Sequence, residues 1–346
     1  MSNSSTTVIL NDLCEAIVDC LHKTAPTQPT GIPSIRTTDI KNGRLDLENA
    51  NRVSAATYKE WTIRIEPQPG DIIMAREAPV GEVGIVPPNT KVVQGQRTVL
   101  IRTDETKLHS RYLLFLLLTP EMKQAMLSHS TGSTVAHLNM KDIRGLRILK
   151  PPPLPTQRRI AEILGRLDDK IETNRRINRT LEAMAQALYK HHFVDFGPYQ
   201  DGPFVESALG LIPEGWEVGK LGDIATNIRD SIDPTTIEPT TPYIGLGDMP
   251  QNSLILELWG EAGESVSNKN LMRQGQILFG KLRPYFRKVG IVPIDGICST
   301  DILVVEPKTQ DFYGQVLCQL FDQEFVDYTS AVSSGTRMHR VNWNYG

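Results

Sequence analysis

The sequence predicts an α+β protein with two similar globular domains separated by one long coiled-coil-like helix. Each domain is expected to be a twisted sheet or partial barrel with helices. Two observations predict this fold. Residues 151–193 begin with a triple proline and continue with the heptad pattern of a single helix. On both sides of this stretch the chain repeats the same short motifs in the same order, which indicates a duplicated domain.

The first domain is expected at residues 1–150. Short runs of β-forming residues between Gly and Pro predict strands at 72–74, 83–86 and 99–101. A helical segment is predicted over 110–128, followed by a loop rich in Ser, Thr and Gly and a last short strand. Strands accompanied by one or two helices are typical of an α+β domain.

The long helix is expected within residues 151–196. At about 1.5 Å per residue, roughly 38 helical residues make a rod of about 57 Å, which suits a spacer. Two interpretations of the asparagines in its heptad seam are open: they fix the register of a partner helix, or the seam divides there and both face water. The apolar seam consists of Ile160, Leu164, Leu167, Ile171, Leu181 and Leu188, with Asn174 and Asn178 in its remaining positions.

The second domain is expected at 216–346, after a linker at 197–215. Five blocks recur in order; GIVP stands identically at 84–87 and 290–293, and GDIIMAREAP at 70–79 matches GQILFGKLRP at 275–284. The second copy stops where the counterpart of the long helix would begin. We therefore expect a shortened C-terminus without a second long helix, and a seam without an obvious partner in the same chain.

Composition restricts the function classes. The 346 residues are 40% hydrophobic and 22% charged with a net charge of −3, which argues against general nucleic-acid binding, although residues 141–192 carry 12 Lys and Arg against 6 acidic residues. This basic stretch is either functional or a solvated helix face. No secretory signal or membrane-length apolar run is found. The cysteines lack metal-type spacing and are expected to be the reduced thiols of a cytoplasmic protein: Cys14, Cys20, Cys298 and Cys318.

Catalytic motifs are not found in the sequence. It has no GxxxxGK[ST], HExxH or CxxC pattern and no segment typical of amino-methyl transfer. We therefore expect no catalytic site, no metal site and no cofactor bound by this chain, and a self-sufficient nuclease or methylase is disfavoured.

The chain resembles the specificity subunits of type I restriction–modification systems, and the resemblance covers essentially the whole sequence. It rests on PPLPTQRRIAEIL at 152–164, LEAMAQALYKHHFVDF at 181–196, and a second domain that starts with GWE at 215–217 and LGD at 221–223. Members have two target recognition domains, each of which recognises one half of a split DNA sequence. Two long helices pack antiparallel in these proteins, set the spacing between the half-sites and dock methyltransferase subunits.

The resemblance implies a non-catalytic subunit whose partners are double-stranded DNA and methyltransferase subunits, with restriction (translocase) subunits attached indirectly. S-adenosylmethionine is then expected on the methyltransferase subunit. Self-association through the long helix is a further way to cover the seam. The alternative function is a truncated scaffold or decoy that binds methyltransferase subunits without recognising a complete DNA site.

Candidate DNA-binding residues lie in the repeated blocks and in the Ser/Thr/Gly loops. Arginine can bind guanine through two hydrogen bonds, and Ser and Thr can bind phosphates or base edges. For each single residue, an ordinary solvated side chain is the competing interpretation. The candidates are Arg36, Thr38, Arg76, Ser133, Thr134 and His137 in the first copy, and Lys281, Arg283, Tyr285, Arg287, Ser334, Thr336, Arg337 and His339 in the second.

Overall fold

The computed structural model describes residues 7–129, 136–263, 267–333 and 340–343. The chain divides into two compact units, Met1–Ile171 and Glu172–Gly346. Both units contain sheets and short helices, and one long helix begins in the first unit and ends in the second. The predicted α+β class, with a long helix between two sheet-rich domains, is confirmed.

The first unit consists mainly of strands up to residue 103 and mainly of helices after it. Its strands are β1 (Thr7–Ile9), β2 (Cys14–Asp19), β3 (Ile32–Ile35), β4 (Ile40–Lys41), β5 (Arg44–Leu45), β6 (Asn51–Val53), β7 (Ile72–Ala75), β8 (Val83–Ile85), β9 (Val93–Gln94), β10 (Thr98–Thr103) and β11 (Arg147–Leu149). Its helices are α1 (Ala55–Trp61), α2 (Ser110–Leu117), α3 (Pro120–Ser128), α4 (Met140–Arg144) and the first part of α5 (Leu154–Tyr189).

The main sheet of the first unit has four antiparallel strands in the order β2-β10-β7-β8. One face of this sheet packs against α2 and α3, where Ile72, Met74 and Leu113 are fully buried. A smaller sheet, β6-β3-β9, joins β3 to β9 in parallel. The strands β7 and β10 are buried along most of their length, which explains their nearly continuous apolar sequence.

The second unit has a similar set of elements after the end of α5. Its strands are β12 (Phe204–Ser207), β13 (Gly210–Pro213), β14 (Ala225–Ile228), β15 (Ser231–Ile232), β16 (Pro242–Ile244), β17 (Gly260–Glu261), β18 (Lys269–Met272), β19 (Ile277–Gly280), β20 (Val289–Ile291), β21 (Gly296–Ser299) and β22 (Ile302–Pro307). Its short helices are α6 (Leu221–Ile224), α7 (Tyr313–Phe321) and α8 (Gln323–Ala331).

The two main sheets have the same topology. The order β14-β22-β19-β20 repeats β2-β10-β7-β8, and Leu278 pairs with Gly290 as Ile73 pairs with Gly84. Each of these glycines is the first residue of a GIVP motif, and neither position has room for a side chain. A Cβ would lie 2.7 Å from the Arg44 carbonyl oxygen at Gly84 and 2.7 Å from the Leu256 side chain at Gly290. The predicted duplication is confirmed.

The helical segment predicted over 110–128 is two helices rather than one. α2 ends at Leu117, and the Thr119 side chain accepts a hydrogen bond from the Met122 amide at the start of α3, with Pro120 in the first turn. In the second unit the same break lies between α7 and α8, where Asp322 caps α8 by accepting from the amides of Glu324 and Phe325. The capping residue differs between the units, with Thr119 in the first and Asp322 in the second, whereas the break between two helices occurs in both.

The long helix α5 agrees with the sequence prediction. It is α-helical from Leu154 to Tyr189 and continues as one π-helical stretch over Lys190–Val194. None of the described helices is both long enough and apolar enough to cross a membrane.

Candidate nucleic-acid interface

In the first unit, three loops meet beside the end of β7. The Arg76 amide donates to the Arg97 carbonyl at 2.9 Å, and the Leu138 amide donates to the Arg76 carbonyl at 3.0 Å. Glu77 forms a β-bridge with His137, and Arg97 Nε lies 3.2 Å from the Glu77 carboxylate. We call residues 76–77, 97 and 137–138 the first loop junction. It brings the predicted candidates Arg76 and His137 together, whereas Ser133 and Thr134 lie outside the described residues.

Arg76 stabilises this junction through hydrogen bonds of its largely buried side chain. Its side chain is only 14% exposed, and its NH1 donates to both carboxylate oxygens of Asp19 at 2.8 and 2.9 Å. Its Nε also donates to the Leu138 carbonyl at 2.9 Å. Because these partners occupy the guanidinium, Arg76 positions the loops instead of extending toward a ligand.

Arg36 and Thr38 follow the carboxyl end of β3. The parallel strand β9 ends at the same edge of this sheet, and the chain continues from there to Arg97. The Arg36 guanidinium donates two hydrogen bonds to Asp39, each at 3.0 Å, and this pairing raises the pKa of Arg36. Thr38 Oγ1 donates to the Asp39 carboxylate at 3.1 Å. Both candidates are exposed, and their orientation is set by the buried Asp39.

The second unit builds the same junction with different side chains. The Lys281 amide donates to the Asp301 carbonyl at 2.8 Å, and the Val341 amide donates to the Lys281 carbonyl at 3.1 Å. Leu282 forms a β-bridge with Arg340, whose guanidinium contacts the Asp301 carboxylate at 2.5 Å. We call residues 281–288, 300–301 and 340–341 the second loop junction. The candidates Ser334, Thr336, Arg337 and His339 lie outside the described residues.

The cations of the second junction divide into anchors and exposed groups. Lys281 Nζ donates to the Thr300 carbonyl at 2.7 Å, and burial lowers the pKa of Lys281. Arg287 Nε donates to the Phe321 carbonyl at 2.6 Å while its guanidinium lies 3.9 Å from the Phe321 ring centroid, and burial lowers its pKa. Arg283 and Tyr285 face outward, and Tyr285 is 49% exposed.

Two residues of these junctions were not among the candidates chosen from the sequence, although Lys288 belongs to the basic stretch KLRPYFRK at 281–288. Arg97 has an exposed side chain and a left-handed backbone, with φ of 65°. Lys288 donates from Nζ to the Leu246 carbonyl oxygen and so joins the loop after β16 to the loop after β19. The available signal for Arg97 was its position directly before β10, and for Lys288 it was the density of cations in this stretch.

Helix α5 packs on the first unit through polar and small residues. Gln157 is 1% exposed; its Oε1 accepts from the His109 amide at 2.8 Å, and its Nε2 donates to the carbonyls of Lys107 and Pro152. One turn and two turns further on, Ala161 and Gly165 are also buried. A Cβ at Gly165 would lie 2.6 Å from the Arg111 guanidinium, so Gly165 allows this close contact.

The later part of α5 packs on the second unit in the same manner. Glu182 accepts from the Leu254 amide at 2.8 Å, Arg175 pairs with Glu257 at 2.7 Å, and Gln186 donates to the Cys318 carbonyl at 3.2 Å. Polar side chains thus hold the helix to both units.

The apolar seam of α5 is left open by this arrangement. Its exposed aliphatic side chains are 39–59% exposed, and they are Leu164, Leu167, Ile171, Leu181 and Leu188. Ile160 and Asn178 are half-buried, and Asn174 is exposed. An exposed apolar stripe of this length is characteristic of a surface that another helix covers.

One group of described side chains has the spacing of a metal site. The ligand atoms of Asp19, Cys20 and His22 lie within 4.8 Å of one another. Asp19 accepts from Arg76, however, and it also contacts His22 Nε2 at 2.9 Å. Because a guanidinium already neutralises this carboxylate, the geometry favours an ion pair over a cation site.

Residues 4–183 match the family described as the type I restriction modification DNA specificity domain. The chain belongs to this family. A curated relative, the type I restriction enzyme MjaIX specificity subunit of Methanocaldococcus jannaschii, is 34% identical over 174 residues, which are 50% of this chain and 39% of the relative. The EcoDI specificity subunit of Escherichia coli is 26% identical over 274 residues, which are 71% of this chain and 59% of that protein.

The fold of this family member has a counterpart among solved structures. The crystal structure of the type I restriction–modification system S subunit from M. genitalium has a TM-score of 0.51 at 14% identity, and the match covers 95% of this chain and 80% of that one. The chain spans between about two fifths and three fifths of the length of the two curated relatives.

Proposed function

We propose that this chain is the non-catalytic specificity subunit of a type I restriction–modification complex and recognises a bipartite double-stranded DNA target. Each unit would recognise one half-site through its loop junction. Methyltransferase subunits would bind to the chain, carry the S-adenosylmethionine and connect the restriction subunits to the complex.

The observation that carries this proposal is the repeated junction. Both units hold three loops together with equivalent backbone hydrogen bonds, yet the side chains presented at equivalent positions differ. The first unit presents Ala78 before its proline and the second presents Arg283. A common scaffold with different exposed side chains suits two domains that recognise two different short sequences, because base edges determine specificity and the scaffold determines position.

Helix α5 supports the bipartite part of the proposal. It is a continuous α-helix from Leu154 to Tyr189, and each of its ends is hydrogen-bonded to a unit. Such a helix is stiffer than a flexible linker. We propose that α5 determines how many base pairs separate the half-sites and that its apolar seam binds a helix of the methyltransferase subunit or of a second copy of this chain.

A mobility-shift assay on a random duplex library, with the chain co-expressed with its methyltransferase subunit, tests this function. We expect selection of two defined half-sites at a fixed separation, with specific binding at least about a thousandfold tighter than non-specific binding. The matched control duplex keeps both half-sites and lengthens the separation by about 5 bp. This change rotates one half-site by half a turn and should abolish specific binding.

Two outcomes would contradict the proposal. Equal binding of both duplexes would show that the half-sites are not held at a fixed separation. Failure to select any sequence, while the methyltransferase subunit stays bound, would support the alternative function of a scaffold or decoy.

A further inference from the structure

A small apolar cavity lies at the second loop junction. It has a volume of about 230 Å³ and is lined by Leu246, Leu282, Arg283, Phe286 and Lys288. Three of these five residues are apolar, and Arg283 is exposed. The cavity is therefore a mainly apolar depression that also has an exposed cation in its lining, on the surface that we assign to DNA.

The loop that lines this cavity is anchored at both ends. Lys281 anchors the start of this loop to the Thr300 carbonyl. The adjacent residues Arg287 and Lys288 anchor its end, Arg287 to the Phe321 carbonyl and ring and Lys288 to the Leu246 carbonyl. The Leu246 side chain packs over Gly280, where a Cβ would lie 3.0 Å from it. A shape fixed in this way before binding favours recognition of one particular group.

The first unit has different chemistry at the equivalent positions. Glu77 stands where the second unit has Leu282, and Ala78 stands where it has Arg283, when Pro79 is aligned with Pro284. The Glu77 carboxylate is paired with Arg97. An apolar wall residue of the second unit is thus replaced by an ion pair in the first, so the two units differ in chemistry at this position.

We propose that this cavity receives the 5-methyl group of a thymine in the half-site recognised by the second unit. The inference rests on the proposed function. Among the base edges in the major groove, only thymine presents a methyl group, and apolar side chains are its usual partners. Cytosine has only a hydrogen at C5, so it would leave the apolar side chains of Leu246, Leu282 and Phe286 without this methyl contact.

Thymine-to-uracil replacement tests the proposal without changing the protein. Each thymine in the selected target is replaced singly by deoxyuridine, which lacks only the methyl group. We expect one position in the second half-site where the affinity falls about fourfold, as for the loss of one buried methyl group. Specific binding without any sensitive position in the second half-site, or a second half-site without thymine, would overturn this proposal alone. Failure to find any specific site would overturn the proposed function and this proposal together.

A pair of variants assigns the effect to the cavity. In Leu282→Asn the polar side chain replaces an apolar wall, and the thymine-to-uracil ratio at the sensitive position should fall to about one. Leu282→Met keeps the wall apolar and should retain the fourfold ratio. Any uracil sensitivity in the first half-site should be the same in both variants. A ratio that stays fourfold in Leu282→Asn would refute the assignment.

Discussion

Replacement of Gln157 by leucine should weaken the attachment of α5 to the first unit. Leucine has a similar size but makes none of the three hydrogen bonds of the glutamine side chain to the His109 amide and to the carbonyls of Lys107 and Pro152. The site is 1% exposed, so water does not readily replace the lost partners. An unsatisfied buried group costs about 1–3 kcal/mol, and we expect a total loss of about 2–4 kcal/mol.

Hydrogen–deuterium exchange read by mass spectrometry measures this loss. Peptides that contain His109 should exchange about 30 to 1,000 times faster in Gln157→Leu, because each 1.4 kcal/mol is a factor of ten in the opening equilibrium. The control Arg158→Leu introduces the same residue at the next, exposed position and should change the stability by less than about 0.5 kcal/mol. Peptides of the second unit provide an internal reference. Equal exchange at His109 in the two variants would refute the role of Gln157.

Three further predictions concern the seam, the second junction and the thiols. Leu167→Asp places a charge in the exposed seam and should abolish binding of the methyltransferase subunit without unfolding either unit; unchanged stoichiometry by native mass spectrometry would contradict this. Arg283→Ala should weaken DNA binding mainly through one half-site, whereas Arg273→Ala, at the other end of β19, should not; equal loss at both half-sites would argue against separate recognition. Burial raises the pKa of Cys14 and Cys298 to about 12, so both stay protonated at pH 8 and should react with iodoacetamide only after denaturation, which peptide mass mapping checks.

The architecture was predictable because it is repeated. The recurrence of GIVP and its preceding strand located equivalent strands in both units before any pairing was known, and β7–β8 and β19–β20 have equivalent registers. The parallel pairing of β3 with β9 could not be predicted. These strands have four and two residues, which is too short for a pattern of alternating side chains.

The sequence indicated where the candidate residues lie in the chain, but it did not indicate which of them have buried side chains. The sequence placed Arg76 and Arg287 among DNA-binding candidates because both are cationic and lie in a repeated loop. Their partners, Asp19 and the Phe321 carbonyl, are far away in the sequence, so the burial of these guanidiniums became evident only in the fold. The heptad pattern located the open face of α5. Its buried polar face, exemplified by Gln157, carries no such signal because glutamine is ordinarily found on solvated helix faces.

Methylome sequencing of cells that express this chain with the methyltransferase and restriction subunits that we propose as its partners tests the central claim most directly. Two units with equivalent junctions and different exposed side chains predict a methylated motif of two defined half-sites separated by a constant number of unspecified base pairs. Arg283→Ala should relax the base preference in one half-site and leave the other unchanged. A single uninterrupted motif, or half-sites at variable separation, would contradict the claim that each unit recognises one half of the target.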